Sequence, residues 1–317
     1  MTVSNLIKPY RALREEFYGD AGKKDFSSVL IEEDDGPQEF TISPMGAGGS
    51  KRAYRCMGST KALILPNMDC NPLSEIQEGW ARVVDKEVRM SETLEKIGLL
   101  SLRCKKVQVS TNSDPSQSIP AYVADNFESL AERGIYVIDQ KNNSSSTLKK
   151  KIFQKPSDAL DKRQWRDILN PLVDDVAKLV IHDIPTGSDS ISYALVETES
   201  SSYQLRFLGF DYTTRSGEGR IPEVEDPSGK KKCCDRITRI GRSIFNAVKN
   251  RISHGTAIRD IVEEAVRSLF ENEFRPENGS NPFGNPLSEE AEALCNQLTN
   301  ELTRAVYLRI AQLTFTS

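Results

Sequence analysis

The sequence predicts an α+β protein in two parts: a sheet-rich part over residues 1–127, then a larger, mostly helical part over 128–317. Three observations predict this. Short runs rich in aromatic and β-branched residues, broken by glycine and serine turns, occupy 39–65 and recur at 101–109 and 121–123. One long stretch of helical periodicity, 73–97, interrupts them. Beyond Trp165 the helical period dominates, with a single strand pair embedded in it. A chain of 317 residues suits two such parts.

The elements follow in order. A short leading helix spans 11–18, and an acidic connector leads to residue 35. A strand at 40–43 runs into the glycine-rich turn Pro44-Met45-Gly46-Ala47-Gly48-Gly49-Ser50-Lys51-Arg52. A second strand, 53–57, and a third, 61–65, come after it. In 73–97 the apolar residues Trp80, Val83, Val84, Val88, Leu94 and Ile97 recur at helical spacing, and Gly98 ends the run. The polar stretch 141–151, rich in Ser, Asn and Lys, reads as a surface insertion. A helix over 165–181 turns Leu169, Leu172, Val173, Val176 and Leu179 inward. Strands at 191–196 and 203–210 flank a turn, and helices fill 235–270 and 287–313 around a Pro/Gly/Asn linker.

Composition narrows the classes of function. With 38% hydrophobic and 28% charged residues the chain supports a sizeable core. Its longest apolar runs, such as Ala62-Leu63-Ile64-Leu65, are far too short to span a bilayer, so a soluble protein without a transmembrane segment is expected. Six scattered cysteines, with only Cys233-Cys234 adjacent, argue against a disulfide framework or a zinc site and for a reducing compartment. Two histidines, His182 and His254, leave little room for histidine-rich metal chemistry. A net charge of −4 argues against nucleic acid as a partner.

Four stretches carry chemistry. The turn holding Gly46, Gly48, Gly49, Ser50 and Lys51 joins two strands. A Walker A loop opens a helix with Gly-Lys-Ser/Thr, and here Ser50 precedes Lys51 and strand continues beyond it. A glycine-rich turn between antiparallel strands lets backbone amides approach and donate to anionic oxygens. Glu87 sits midway along the long helix, with Glu92 as an alternative. The helix ending at Ile181 feeds His182-Asp183-Ile184-Pro185-Thr186-Gly187-Ser188-Asp189-Ser190, a loop able to supply carboxylates for metal binding and base chemistry. Leu205-Arg206-Phe207-Leu208-Gly209-Phe210-Asp211 presents an acid at the end of an apolar strand.

Glycine turn, helical Glu, His-Asp loop and strand-end Asp occur in the order of the protein kinase superfamily, over roughly residues 40–220. The chain resembles the atypical branch of that superfamily, including kinase-like effectors that intracellular bacteria such as Legionella deliver into host cells. The resemblance implies a bilobal protein-kinase-like fold, with a small antiparallel-sheet N-lobe and a larger helical C-lobe. It implies ATP, Mg²⁺ or Mn²⁺, and transfer of phosphate to Ser/Thr of a protein substrate. Kinases place Val-Ala-Ile-Lys on the third strand, where this chain reads Ala62-Leu63-Ile64-Leu65. The phosphate lysine is therefore expected to be displaced to Lys51, paired with Glu87. Asp211, Asp189 and Ser190 would hold metal, and Asp183, or Asp189 in a shifted register, would accept the substrate's proton. The catalytic loop lacks the usual arginine and asparagine. Phe210-Asp211-Tyr212 replaces Asp-Phe-Gly, so a pseudokinase acting as a phosphoinositide- or partner-binding module is the alternative.

One basic segment stands apart. Lys230, Lys231, Lys232, Arg236, Arg239, Arg242, Lys249 and Arg251 face a single acid, Asp235, and the three arginines at a spacing of three share one drifting helix face. Guanidinium forks suit phosphate. The expected ligand is an inositol polyphosphate such as inositol hexakisphosphate, or a phosphoinositide head group, acting as a regulator.

Overall fold

A computed structural model of the chain describes residues 3–18, 25–47, 51–68, 73–138, 162–182, 184, 191–200, 202–209, 258–274 and 289–315. These residues are α+β, with strands first and helices later. They divide into two compact units, the first formed by residues up to 95 together with 101–130, the second by 96–100 and those from 131 onward.

The first unit is a closed antiparallel barrel. Its strands are β1 (Ser27–Glu33), β2 (Gly36–Ala47), β3 (Lys51–Cys56), β4 (Lys61–Pro66), β6 (Lys105–Thr111) and β7 (Asp114–Asp125), in the order β1-β2-β3-β4-β7-β6. Side chains alternate across each strand, so one set fills the interior: Val29 and Ile31, Ile42, Tyr54 and Cys56, Leu63 and Leu65, Val107 and Val109, Ile119 and Val123. Closing the sheet leaves no unpaired edge. Helix α1 (Val3–Tyr18) adds Tyr10, Leu13 and Phe17 to the same core, and Phe17 stacks on Tyr54 with ring centroids 5.1 Å apart. Helix α2 (Leu73–Lys96) adds Ile76, Trp80 and Val84, and Trp80 Nε1 donates to the Pro120 carbonyl at 2.6 Å. Gly98, at φ 74°, supplies the left-handed backbone after α2 that other residues adopt at a cost.

Several sequence expectations need correction here. The acidic connector contains β1: four consecutive acids, Glu32 to Asp35, mask a run of Val29, Leu30 and Ile31 that the barrel buries. Helix α1 begins at Val3, ahead of Pro9, because Tyr10, Leu13 and Phe17 anchor a longer stripe than the turn residues suggested. Strand β7 is a 12-residue strand, whereas only 121–123 read as strand, since Asp114 to Ser118 have turn composition and are held by pairing with β6. The strand expected at 101–109 is split between β5 (Leu100–Ser101) and β6.

The second unit has a four-stranded sheet in the order β5-β10-β9-β8, with β8 (Ile135–Ile138), β9 (Ile191–Glu197) and β10 (Tyr203–Gly209). β9 and β10 form the expected hairpin, in register from Gly209↔Ile191 to Tyr203↔Glu197. Helices α4 (Lys162–Ile181), α5 (Ile258–Phe274) and α6 (Glu289–Phe315) bury one core of Trp165, Leu169, Leu172, Val176, Ile261, Val262, Leu298 and Val306. The helix α3 (Phe127–Glu132) and strand β8 have too few residues to show a period and were not foreseen. The expected insertion at 141–151, and residues 235–257 of the expected basic helix, lie outside the described residues. Among the described residues no helix is long and apolar enough to cross a membrane.

Candidate functional site

The face of the barrel that carries Lys51 is set by register. Residues directly opposed in an antiparallel pair share a face. Lys51 opposes Pro66, Ala53 opposes Ile64, and Arg55 opposes Ala62. On the next strand pair, Ile64 opposes Tyr122 and Ala62 opposes Ala124. Lys51, Ala53, Ala62, Ile64, Tyr122 and Ala124 therefore share the outer face, while Arg52, Tyr54, Leu63, Leu65 and Val123 take the inner one. Lys51 is the first residue of β3 and not part of the turn, which corrects its sequence placement.

Helix α2 brings Glu87 to this face. Trp80, Glu87 and Leu94 recur every seven residues on the buried stripe, so Glu87 is 3% exposed instead of solvated. Lys51 Nζ donates to Glu87 Oε1 at 2.8 Å across 36 residues of chain, and Lys51 is itself buried. Glu92, the alternative carboxylate, is exposed on the other side of the helix. One turn beyond Glu87 the helix is pinned. Ser91 Oγ donates to the Leu102 carbonyl at 3.1 Å and lies 3.1 Å from Ser101 Oγ, and the Cys104 amide donates back to Ser91 Oγ at 3.1 Å. These bonds fix the rotation of α2, and with it the aim of Glu87.

Two more titratable groups lie close by. Burial pushes the Cys104 thiol up to about 12, with the Glu87 carboxylate adding to the effect, so Cys104 is no nucleophile at neutral pH. Lys86 is 8% exposed and its Nζ has no hydrogen-bond partner among the described residues. Its pKa is lowered by burial; Glu87 opposes the shift and the like charge of Lys51 adds to it. Sequence reasoning missed Lys86. A lysine beside a glutamate in a helix reads as surface, and its one signal is the spacing of four to Met90, which is also fully buried.

Gly46 lies on β2 opposite Ala53, just past a register shift, and a Cβ there would meet nothing within 4 Å. The local fold does not demand glycine at this position; what glycine leaves there is open approach to the backbone. Gly48, Gly49, Ser50, Asp183, Asp189, Ser190 and Asp211 lie outside the described residues, as do Lys230, Lys231, Lys232, Arg236, Arg239 and Arg242. Of the predicted site residues, then, the structure brings Lys51 and Glu87 together. Among the described residues no group of three His, Cys, Asp or Glu side chains is placed to hold a metal ion.

No protein-family model matches the chain. No curated protein matches it either. Among solved structures the chain is similar to a Toxoplasma gondii specific rhoptry antigen kinase domain, at 10% identity and a TM-score of 0.37, over 99% of this chain and 97% of that one. A likeness at that TM-score does not define a fold.

Proposed function

We propose that the chain is an atypical protein-kinase-like phosphotransferase, binding ATP with Mg²⁺ or Mn²⁺ and transferring phosphate to Ser/Thr of a protein. The observation that carries this reading is the buried Lys51–Glu87 pair at 2.8 Å. Leu65, the position at which the resemblance would place the lysine, opposes Arg52 and faces the barrel interior, whereas Lys51 on the neighbouring strand takes the outer face, where helix α2 presents Glu87. On the strand that follows the glycine turn, Lys51 is held by a helical glutamate, the partner that kinases give their phosphate lysine.

In this reading the backbone of Gly46, Gly48, Gly49 and Ser50 cradles phosphate oxygens, and Lys51 neutralises their charge while Glu87 aims it. Asp211, with Asp189 and Ser190, would hold the divalent ion, which would supply positive charge to the phosphates. Asp183 or Asp189 accepts the substrate hydroxyl's proton. The basic segment 230–242 takes an inositol polyphosphate that orders the site, and delivery into a host cell remains part of the proposal by resemblance alone. The test is incubation of the full chain with radiolabelled ATP and Mg²⁺ or Mn²⁺, with and without inositol hexakisphosphate. Label incorporated by wild type and lost in both Asp211→Ala and Lys51→Met supports the reading. ATP that neither labels the chain nor raises its melting temperature overturns it.

A further inference from the structure

Lys86 is the feature that the pairing of Lys51 with Glu87 does not use. Its side chain is more than nine-tenths buried, and its Nζ lacks a hydrogen-bond partner among the described residues. The hydroxyls of Thr299 and Thr303 also lack a hydrogen-bond partner among the described residues. Lys86 differs from them in carrying a whole charge on the atom concerned. An ammonium taken out of water without a partner is among the more costly things a fold can hold. Lysine has a long flexible stem and usually reaches solvent when it can. Here it does not, and it sits immediately before the carboxylate that Lys51 already engages. Two ammonium groups thus act on the Glu87 carboxylate where both lysines are largely shielded from water.

We propose that Lys86 and Lys51 together form an oxyanion subsite, in which Lys86 gives a second charged hydrogen bond to the phosphate chain of the ligand. The inference rests on the nucleotide reading for the identity of the anion, and on Lys86 itself for its charge. A doubly or triply charged phosphate satisfies both cations at once, whereas a single carboxylate, already present as Glu87, satisfies one. The hydrogen bond gained is charge-assisted and made where water is scarce, so it contributes strongly.

The experiment is titration calorimetry at low salt on the full chain with three probes: ATP, inorganic tripolyphosphate and adenosine. Wild type is compared with Lys86→Met and Lys86→Arg. The expected result is that Lys86→Met binds ATP and tripolyphosphate about tenfold more weakly, binds adenosine as before, and is rescued by arginine. A Lys86→Met protein that fails to fold is replaced by Lys86→Gln, read the same way. Tripolyphosphate bound equally by wild type and variant overturns the Lys86 assignment, and leaves the nucleotide reading standing if ATP still binds. Tripolyphosphate bound through Lys86, with adenosine ignored and ATP no tighter than tripolyphosphate, supports the subsite and overturns the nucleotide. A wild type that binds neither anion overturns both.

Discussion

Each unit of the molecule sets a cation against a buried carboxylate, and the two solutions differ. In the second unit, Arg206 approaches Asp175 with both Nε and Nη2, at 2.8 and 2.9 Å, and the Phe207 amide donates to the same carboxylate at 2.9 Å. Arg206 Nη2 also donates to the Gly98 carbonyl at 3.3 Å. One charge meets one charge, and further backbone groups complete the set; the hydrogen bond to Asp175 raises the Arg206 pKa. In the first unit, Lys51 Nζ donates to Glu87 Oε1 at 2.8 Å, and a second buried ammonium, that of Lys86, acts on the same carboxylate. The saturated pair joins helix α4 to strand β10 and has no capacity left for a ligand. The other sets two ammonium groups against the Glu87 carboxylate. Burial of ions alone therefore says little about function; their balance says more.

The largest effect should come from breaking the saturated pair. Asp175→Ala leaves Arg206 and the Phe207 amide without their acceptor, and should cost about 3 kcal/mol of stability, read as a lowered urea midpoint. A change under about 1 kcal/mol would falsify the view that this pair is structural.

Lys51→Met should cost less, about 1–2 kcal/mol, although Glu87 is as deeply buried as Asp175. The reason is Lys86, whose ammonium acts electrostatically on Glu87 and remains when Lys51 is gone. Lys51→Met with Lys86→Met should accordingly cost more than the two single changes summed, since the double variant leaves Glu87 with neither ammonium. Strict additivity in the double-mutant cycle would mean that Lys86 never serves Glu87. In the same Lys51→Met protein, the ATP-dependent rise in melting temperature should vanish, whereas it should persist in whatever fraction of Asp175→Ala remains folded.

Alkaline titration sharpens the contrast. Because Lys86 has a lowered pKa, the folded state releases its proton before the unfolded state does. Between that lowered value and the ordinary lysine value of 10.5 the unfolded chain binds more protons, so stability contributed through Lys86 rises with pH. Lys86→Met should be the more stable protein at neutral pH, and its lead over wild type should shrink as pH climbs toward 10.5. A lead that stays constant across this window shows that Lys86 is not held as a desolvated cation.

Much of this architecture was legible in the sequence, for identifiable reasons. Strands β3 and β4, the hairpin of β9 and β10, and helices α2 and α4 each have enough residues to show a period and are stopped by glycine or polar turns. Strand β1 was not legible, because four acids follow its apolar run, and the first half of β7 was not, because its strand state is imposed by β6. Within the candidate site, Lys51 and Glu87 were readable as residue types in the right order along the chain. Their contact follows from register and helix rotation, which no single segment specifies. Lys86 was readable only through its spacing of four to the buried Met90. Its burial depends on which side of α2 is covered, and a helical lysine next to a glutamate gives no hint of that.

The smallest effect belongs to pairs that the fold leaves in water. Arg103 Nε lies 3.1 Å from Glu95 Oε1, near the end of the same helix that carries Glu87, with side chains 67% and 47% exposed. The distance is close to that of the buried pairs, so a ranking by geometry alone would group them. Solvent removes most of the attraction, and holding two long side chains in one arrangement offsets part of the rest. Arg103→Ala should therefore change stability by less than about 0.5 kcal/mol, and about 1 M salt, at which the screening length falls to about 3 Å, should erase even that. The same salt should leave the cost of Asp175→Ala almost untouched. If instead the two variants respond alike to salt, the saturated pair is wetter than its 1% exposed carboxylate indicates, and the contrast between the two units must be redrawn around solvent access instead of charge balance.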